Sequence, residues 1–243
     1  MEIKQVEDYQ AMSEAGAQLI METVNSLEQP VLGLATGSTP EGVYKRLIEA
    51  HQREKVSFRH TTSFNLDEYV GMSGSDPNSY RYFMDKKFFD YIDIDKQKTF
   101  VPNGKAEDLQ RECEQYEQLL MDHQEIDLQL LGIGTNGHIG FNEPGTPFST
   151  KTHIVDLAPS TRKANARFFE SEQEVPKQAI TMGIATIMKS KQIVLLVSGE
   201  RKARALDQLL HGDVSEDFPA SILQTHPNVQ VIADKAALSR VSV

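Results

Sequence analysis

Short apolar runs alternating with helix-length stretches constrain this chain more than any other feature. The runs lie at 31–35, 62–66, 126–131, 193–197 and 229–233, and strand length rather than helix length suits each of them. Periodic stretches of helical length occupy 41–54, 78–91, 106–123 and 200–211, and an amphipathic stretch at 6–27 precedes the first run. Strands alternating with helices imply crossover units and a sheet covered on both faces. The pattern predicts an α/β fold: a single three-layer, Rossmann-like domain over 1–243 with a mostly parallel central sheet. No linker-like tract, internal repeat or low-complexity segment divides it.

In open parallel sheets ligands sit outside the carboxyl ends of the strands, where the βα loops converge. Composition narrows what could bind there. A formal net charge of -10 disfavours a nucleic-acid partner, and an anionic ligand would need a local positive pocket set against that field. The lone cysteine, Cys113, excludes an internal disulfide framework and a multi-cysteine metal cage. Its acidic helical neighbours would raise the thiol pKa, so a structural role is expected. No apolar signal segment opens the chain and no apolar run approaches a membrane span, so a cytoplasmic setting without membrane contact is expected. No histidine or carboxylate set stands at metal-ligand spacing, and neither a metal nor another cofactor is expected.

The loop after the first run reads Thr36-Gly-Ser-Thr-Pro-Glu41. Gly37 permits a tight turn, Ser38 or Thr39 can cap the helix, and Glu41 completes a capping-box pattern behind Pro40. Free amides at a helix start beside two hydroxyls form an anion site, although a well-capped turn looks the same. The second loop, Phe64-Asn-Leu-Asp-Glu-Tyr69, brings Asp67 and Glu68 to a strand end. A carboxylate there can serve as a general base, or it can merely cap a turn while its neighbour is solvated.

The third loop is the most informative. Gly132, Gly134 and Gly137 spell a dinucleotide fingerprint, which requires a helix to follow. Pro144 and Pro147 forbid one, so that reading fails. What remains is a glycine-rich loop presenting His138 and Glu143, suited to proton shuttling by an imidazole whose tautomer a carboxylate fixes. The other helical-stretch histidines, His51, His123 and His211, are expected to be solvated. Two basic helical segments complete the set: one carries Arg162, Lys163 and Arg167 behind a Ser160 cap, the other Arg201 and Lys202. Either can supply a phosphate fork or remain solvated charge.

Five motifs in order, Thr36-Gly-Ser-Thr-Pro40, Asn65-Leu-Asp-Glu-Tyr69, Gly137-His-Ile-Gly-Phe-Asn-Glu-Pro144, Thr161-Arg-Lys-Ala-Asn-Ala-Arg-Phe-Phe169 and Gly199-Glu-Arg-Lys-Ala203, resemble the glucosamine-6-phosphate deaminase family along nearly the whole chain. The resemblance implies conversion of glucosamine 6-phosphate and water to fructose 6-phosphate and ammonia, in amino-sugar catabolism. It implies that His138 assists ring opening, that Asp67 moves the C2 proton to C1, and that Glu143 orients His138. It further implies that Gly37, Ser38, Thr39, Arg167 and Lys202 hold the 6-phosphate, and that a mobile lid spans 157–180.

Asn136 belongs to the same catalytic set, but many members of the family carry Asp there, which removes a charge beside His138. The amine would be told from an acetamide by Asn136, Asn142 or a backbone carbonyl. The chain stops at Val243, where longer, hexameric and regulated relatives continue, so an unregulated monomer is favoured over a homo-oligomer. Rival readings are a 6-phosphogluconolactonase of the same fold, a sugar-phosphate sensor without turnover, and an isomerase that keeps the amine.

Overall fold

A computed structural model describes residues 1–123 and 125–241. Strands and helices follow one another as β1 (Glu2–Val6), α1 (Tyr9–Ser26), β2 (Val31–Leu34), α2 (Glu41–Gln52), β3 (Thr62–Asn65) and β4 (Asp67–Tyr69). Next come α3 (Tyr80–Lys87), β5 (Thr99–Phe100), α4 (Leu109–Asp122), β6 (Leu128–Gly132), β7 (His153–Asp156) and α5 (Pro159–Asn165). The chain continues through β8 (Gln178–Thr181), α6 (Ile184–Ile187), β9 (Ile193–Val197), α7 (Ala203–His211) and β10 (Val229–Asp234).

Seven strands form one parallel sheet in the order β1-β10-β9-β6-β2-β3-β5. Alternation along each strand explains the continuous apolar runs. Leu128, Leu130, Val194, Leu196 and Ile232 pack with α1, α2 and α3 on one face. Leu131, Ile193, Leu195, Val197 and Val231 pack with α4 and α7 on the other. Such strands have no solvent face on which polar residues could alternate. The expected α/β class with a mostly parallel central sheet is therefore present.

The sequence pattern did not reveal β1, whose residues are mostly exposed and which pairs only with β10 at the sheet edge. It also did not reveal a second sheet, β4-β8-β7, in which both pairings are antiparallel. These short strands take their order from tertiary hydrogen bonds rather than from an apolar period. The predicted helix at 78–91 is also shorter than expected: α3 ends at Lys87 and a tight turn, Phe89–Tyr91, follows.

Two features of this topology position the site. β2 has β3 on one side and β6 on the other, so the chain departs in opposite directions around it. A crevice opens at such a switch point, outside the strand ends. Leu66 is the other pivot. It donates to Leu34 O in the parallel sheet and accepts from Met182 N beside the second sheet. Asp67, the next residue, begins β4 where the two sheets meet.

Candidate active site

The loop after β2 turns through Gly37 at φ +88, a left-handed conformation that side chains rarely adopt. The expected capping box does not form. Pro40 occupies the cap in a helical conformation, with ψ of -7, and no side-chain cap bond is made to α2 there. Tyr9 takes over that task, accepting from Gly42 N–H at 2.9 Å and donating to Ser38 O at 2.9 Å. Glu41 instead pairs with Lys87 at 3.1 Å. The freed Ser38 hydroxyl accepts from Arg167 Nη2 at 2.9 Å, across 129 residues of chain. Thr39 lies half-buried on the same turn.

Lys202 reaches this corner from the loop between β9 and α7. Its ammonium donates to Ile133 O, just beyond β6, at 2.7 Å. Burial, and then the nearby Arg167 charge, lower its pKa. An anion between the two cations would relieve both effects. Asp234, at the end of β10, holds the loop: it accepts from Ser198 Oγ at 2.5 Å and from Gly199 N–H at 3.0 Å. Arg201 stays exposed. Of the other basic segment, Arg162 donates to Glu172 O at 3.0 Å and to Val175 O at 3.2 Å, and Lys163 is exposed. The expected Ser160 cap is likewise missing, since no side chain caps α5.

After β6 the glycine-rich loop runs without a helix up to β7, as the two prolines require. Gly134 makes room for the imidazole: a Cβ there would stand 2.4 Å from the His138 ring. Nδ1 of His138 lies 3.6 Å from Glu143 Oε2, an ion-pair separation slightly longer than a hydrogen bond. Asn136 Nδ2 donates to the same oxygen at 2.7 Å, and its Oδ1 accepts from His138 N–H at 3.3 Å. Thr161 Oγ1 donates to Glu143 Oε1. Burial pushes the Glu143 carboxyl up, but the adjacent His138 and the hydrogen bonds from Thr161 and Asn136 outweigh it and hold the pKa below the usual range. The group is therefore a fixed negative charge behind His138.

Asp67 borders this loop, since a Cβ on Gly140 would come within 3.7 Å of its Oδ2. Burial, reinforced by the Glu68 charge, pushes Asp67 up to about 8. Glu68 is not the solvated neighbour that a turn reading would make it. It is 2% exposed and accepts from three backbone amides, those of Tyr69, Tyr80 and Arg81.

The family model described as glucosamine-6-phosphate isomerases/6-phosphogluconolactonase matches residues 7–232. The glucosamine-6-phosphate deaminase of Oceanobacillus iheyensis is 57% identical over 100% of this chain and 97% of its own length. Glucosamine-6-phosphate deaminase 1 of Bacillus subtilis strain 168 is 52% identical over 98% of this chain and 99% of its own. The chain belongs to the glucosamine-6-phosphate deaminase family. A solved structure described as a monomeric glucosamine-6-phosphate deaminase matches this deaminase fold with a TM-score of 0.98, at 51% identity, over 99% of this chain and 100% of its own. The 6-phosphogluconolactonase of Trypanosoma brucei, at 23% identity and a TM-score of 0.78 over 99% of this chain and 98% of its own, shares the fold.

Asp67, Asn136, His138 and Glu143 stand on adjoining segments, and Ser38, Arg167 and Lys202 form a second group with the Gly37 turn. Thr161 and Asp234 were not anticipated from sequence. A Thr in a helical run and an Asp after a strand carry no local signal of a distant partner. Asn142 is buried, and its Nδ2 donates to Ile139 O and Met182 O. His123 is not solvated either, packing edge-on against Phe64 and Phe100. His51 is part-buried and bonds Val56 O at 3.0 Å, while His211 is exposed. Among the described residues no group of three or more His, Cys, Asp or Glu gathers as metal ligands, and no helix is long and apolar enough to cross a membrane.

Proposed function

We propose that this chain converts D-glucosamine 6-phosphate and water to D-fructose 6-phosphate and ammonia, in the catabolism of amino sugars. The observation that carries the reading is the placement of Asp67 against the Gly140 turn, on the loop that also presents His138 and Glu143. A base and a separate acid–base imidazole so arranged suit an aldose–ketose proton transfer.

The 6-phosphate sits against the Gly37, Ser38 and Thr39 turn, clamped by Arg167 and Lys202. Phosphate binding positions the reacting carbons, so its energy lowers the barrier at the far end of the sugar. His138 moves a proton between the ring oxygen and O1, opening the ring to the aldehyde. Asp67 then takes the C2 proton while the 2-ammonium group gives up one proton and O1 gains one, giving an enolamine. The same proton goes to C1, leaving an iminium at C2. Water adds to C2, ammonia leaves with the C2–N bond electrons, and the ketone of fructose 6-phosphate remains.

Glu143 stabilises the imidazolium form of His138 and fixes its ring, and Asn136 holds Glu143 in place. Acid–base steps of this kind contribute about 100- to 10,000-fold each. The segment 157–180 serves as a lid over the phosphate, excluding water while the enolamine exists. The chain acts as a cytoplasmic monomer, a reading supported by the monomeric relative at 51% identity.

Ammonia and fructose 6-phosphate formation from glucosamine 6-phosphate tests the reaction, with Asp67→Asn and His138→Gln alongside. Turnover by the unaltered chain and large losses in both variants are expected. Exchange of the C2 proton without ammonia would instead indicate an isomerase, and hydrolysis of the phosphogluconolactone alone would indicate a lactonase.

A further inference from the structure

Two successive residues of β4 bury carboxyl groups where the sheets meet, and the reaction above uses only one of them. Asp67 is 6% exposed and Glu68 2%. Successive residues on a strand point to opposite faces. Glu68 accordingly turns away from the glycine-rich loop towards the start of α3. Its Oε1 accepts from Tyr69 N–H at 2.8 Å and Tyr80 N–H at 2.9 Å, and its Oε2 from Arg81 N–H at 3.0 Å. Two of these donors belong to the first turn of α3, where the helix dipole favours a negative charge.

Among the described residues no salt bridge gives either carboxyl a compensating cation. Tyr69 from β4, Tyr80 from α3 and Tyr116 from α4 face the pair, and burial raises all three phenols, so they stay neutral. The loop bearing His138 and Glu143 borders Asp67 at Gly140. Asp76 adds a further negative influence on Glu68. The Arg81 guanidinium turns away, donating to Thr99 O at 2.8 Å and pairing with Asp85 at 3.3 Å. Among the described residues neither Asp67 nor Glu68 forms an ion pair with Lys, Arg or His.

We infer that Glu68 couples recognition of the substrate's 2-amino group to the activation of Asp67, the buried carboxyl pair being completed by the 2-ammonium cation. This rests on the proposed deaminase reaction. In the free protein the three amide donors place the pair's single negative charge on Glu68, and Asp67 keeps its proton because a second charge beside it is unfavourable. Burial raises both carboxyls, and for Glu68 the amide bonds offset part of that rise. When the ammonium group arrives, Asp67 releases its proton to solvent and becomes the base that the C2 proton requires. A neutral substituent at C2 leaves Asp67 protonated. Glu68 acts through Asp67 and is a positioning residue.

Calorimetry near pH 7 in two buffers of different ionisation enthalpy counts the protons released on binding. The probes are 2-amino-2-deoxyglucitol 6-phosphate and glucitol 6-phosphate, which have no carbonyl to isomerise. The unaltered protein should release close to one proton with the amine probe and none with glucitol 6-phosphate. Glu68→Gln should abolish the release, weaken the preference for the amine probe about tenfold, the equivalent of one pKa unit, and move the acidic limb of kcat/KM to lower pH. Ser79→Ala removes the hydroxyl that accepts from Tyr82 N–H at the same helix start, with no change of charge, and should leave the proton count unaltered. Unchanged release in Glu68→Gln, or the same loss in Ser79→Ala, overturns the inference. Should Glu68→Gln not fold, Asp67→Asn must abolish the release instead. Turnover without proton release would sink this coupling alone, whereas absence of turnover would sink the reaction proposed above.

Discussion

Thr161, in α5, donates its hydroxyl hydrogen to Glu143 Oε1, 18 residues earlier in the chain. The carboxylate behind His138 is thereby bonded to the segment that also carries Arg167, which reaches the Ser38 hydroxyl. The stretch 159–168, α5 and the tight turn after it, so links the two ends of the site. A shift of α5 would disturb the His138 partner and the phosphate clamp together.

Thr161→Val should lower kcat by about tenfold to a hundredfold, the scale of one hydrogen bond to a charged group at about 1.5–3 kcal/mol. Because that bond helps to hold the Glu143 pKa down, its loss should also move the acidic limb of the pH–rate profile to higher pH. Thr161→Ser should restore both. A full pH profile of each variant makes the check, and an unmoved limb would remove Thr161 from the pathway to Glu143.

Asn136→Asp should act on the same carboxylate. Asn136 Nδ2 stands 2.7 Å from Glu143 Oε2, so a second carboxyl there puts like charges in contact and disfavours ionisation of both. The acidic limb should rise by at least one pH unit, with KM little changed. Steady-state kinetics between pH 5 and about 8.5 read both quantities.

Asp67→Asn should cost activity by about 100- to 10,000-fold while changing stability in a pH-dependent way. The folded pKa of Asp67 is raised to about 8, so the native state holds a proton that the unfolded chain gives up near 3.8. Stability from this group is complete below that lower value and declines as pH rises to about 8, by at most roughly 1.4 kcal/mol per pH unit. The melting temperature of Asp67→Asn relative to the unaltered protein should therefore climb between pH 5 and about 8. A flat difference would mean that Asp67 is ionised in the free protein.

Arg167→Ala should raise KM for glucosamine 6-phosphate by about tenfold to a hundredfold, the size of a charged hydrogen bond, with a smaller effect on kcat. Arg167→Lys should restore only part, because an ammonium lacks the two-pronged geometry that suits a phosphate. Inorganic phosphate as a competitive inhibitor supplies the control: its Ki should rise with KM in both variants.

The apolar runs at 193–197 and 229–233 made the parallel core legible, because strands buried on both faces have no reason to carry polar residues. The placement of Asp67 at a strand end, and of His138 and Glu143 on one glycine-rich loop, was legible because both are local signatures. The Ser38–Glu41 capping box was legible too, yet absent, because Pro40 and Tyr9 met the needs of α2 in another way.

Long-range partners were not legible. Glu68 owes its burial to α3, Thr161 reaches Glu143 across 18 residues, and Lys202 finds Ile133 O 69 residues away. β4, β7 and β8 are likewise strands only because they pair with one another. Sequence alone determined the α/β class and which loops follow its strands, since apolar period and glycine placement act over a few residues. Only the tertiary structure decided which carboxylates are charged and which cations face each other. Burial and Coulomb interaction depend on neighbours in space, and no local pattern encodes those.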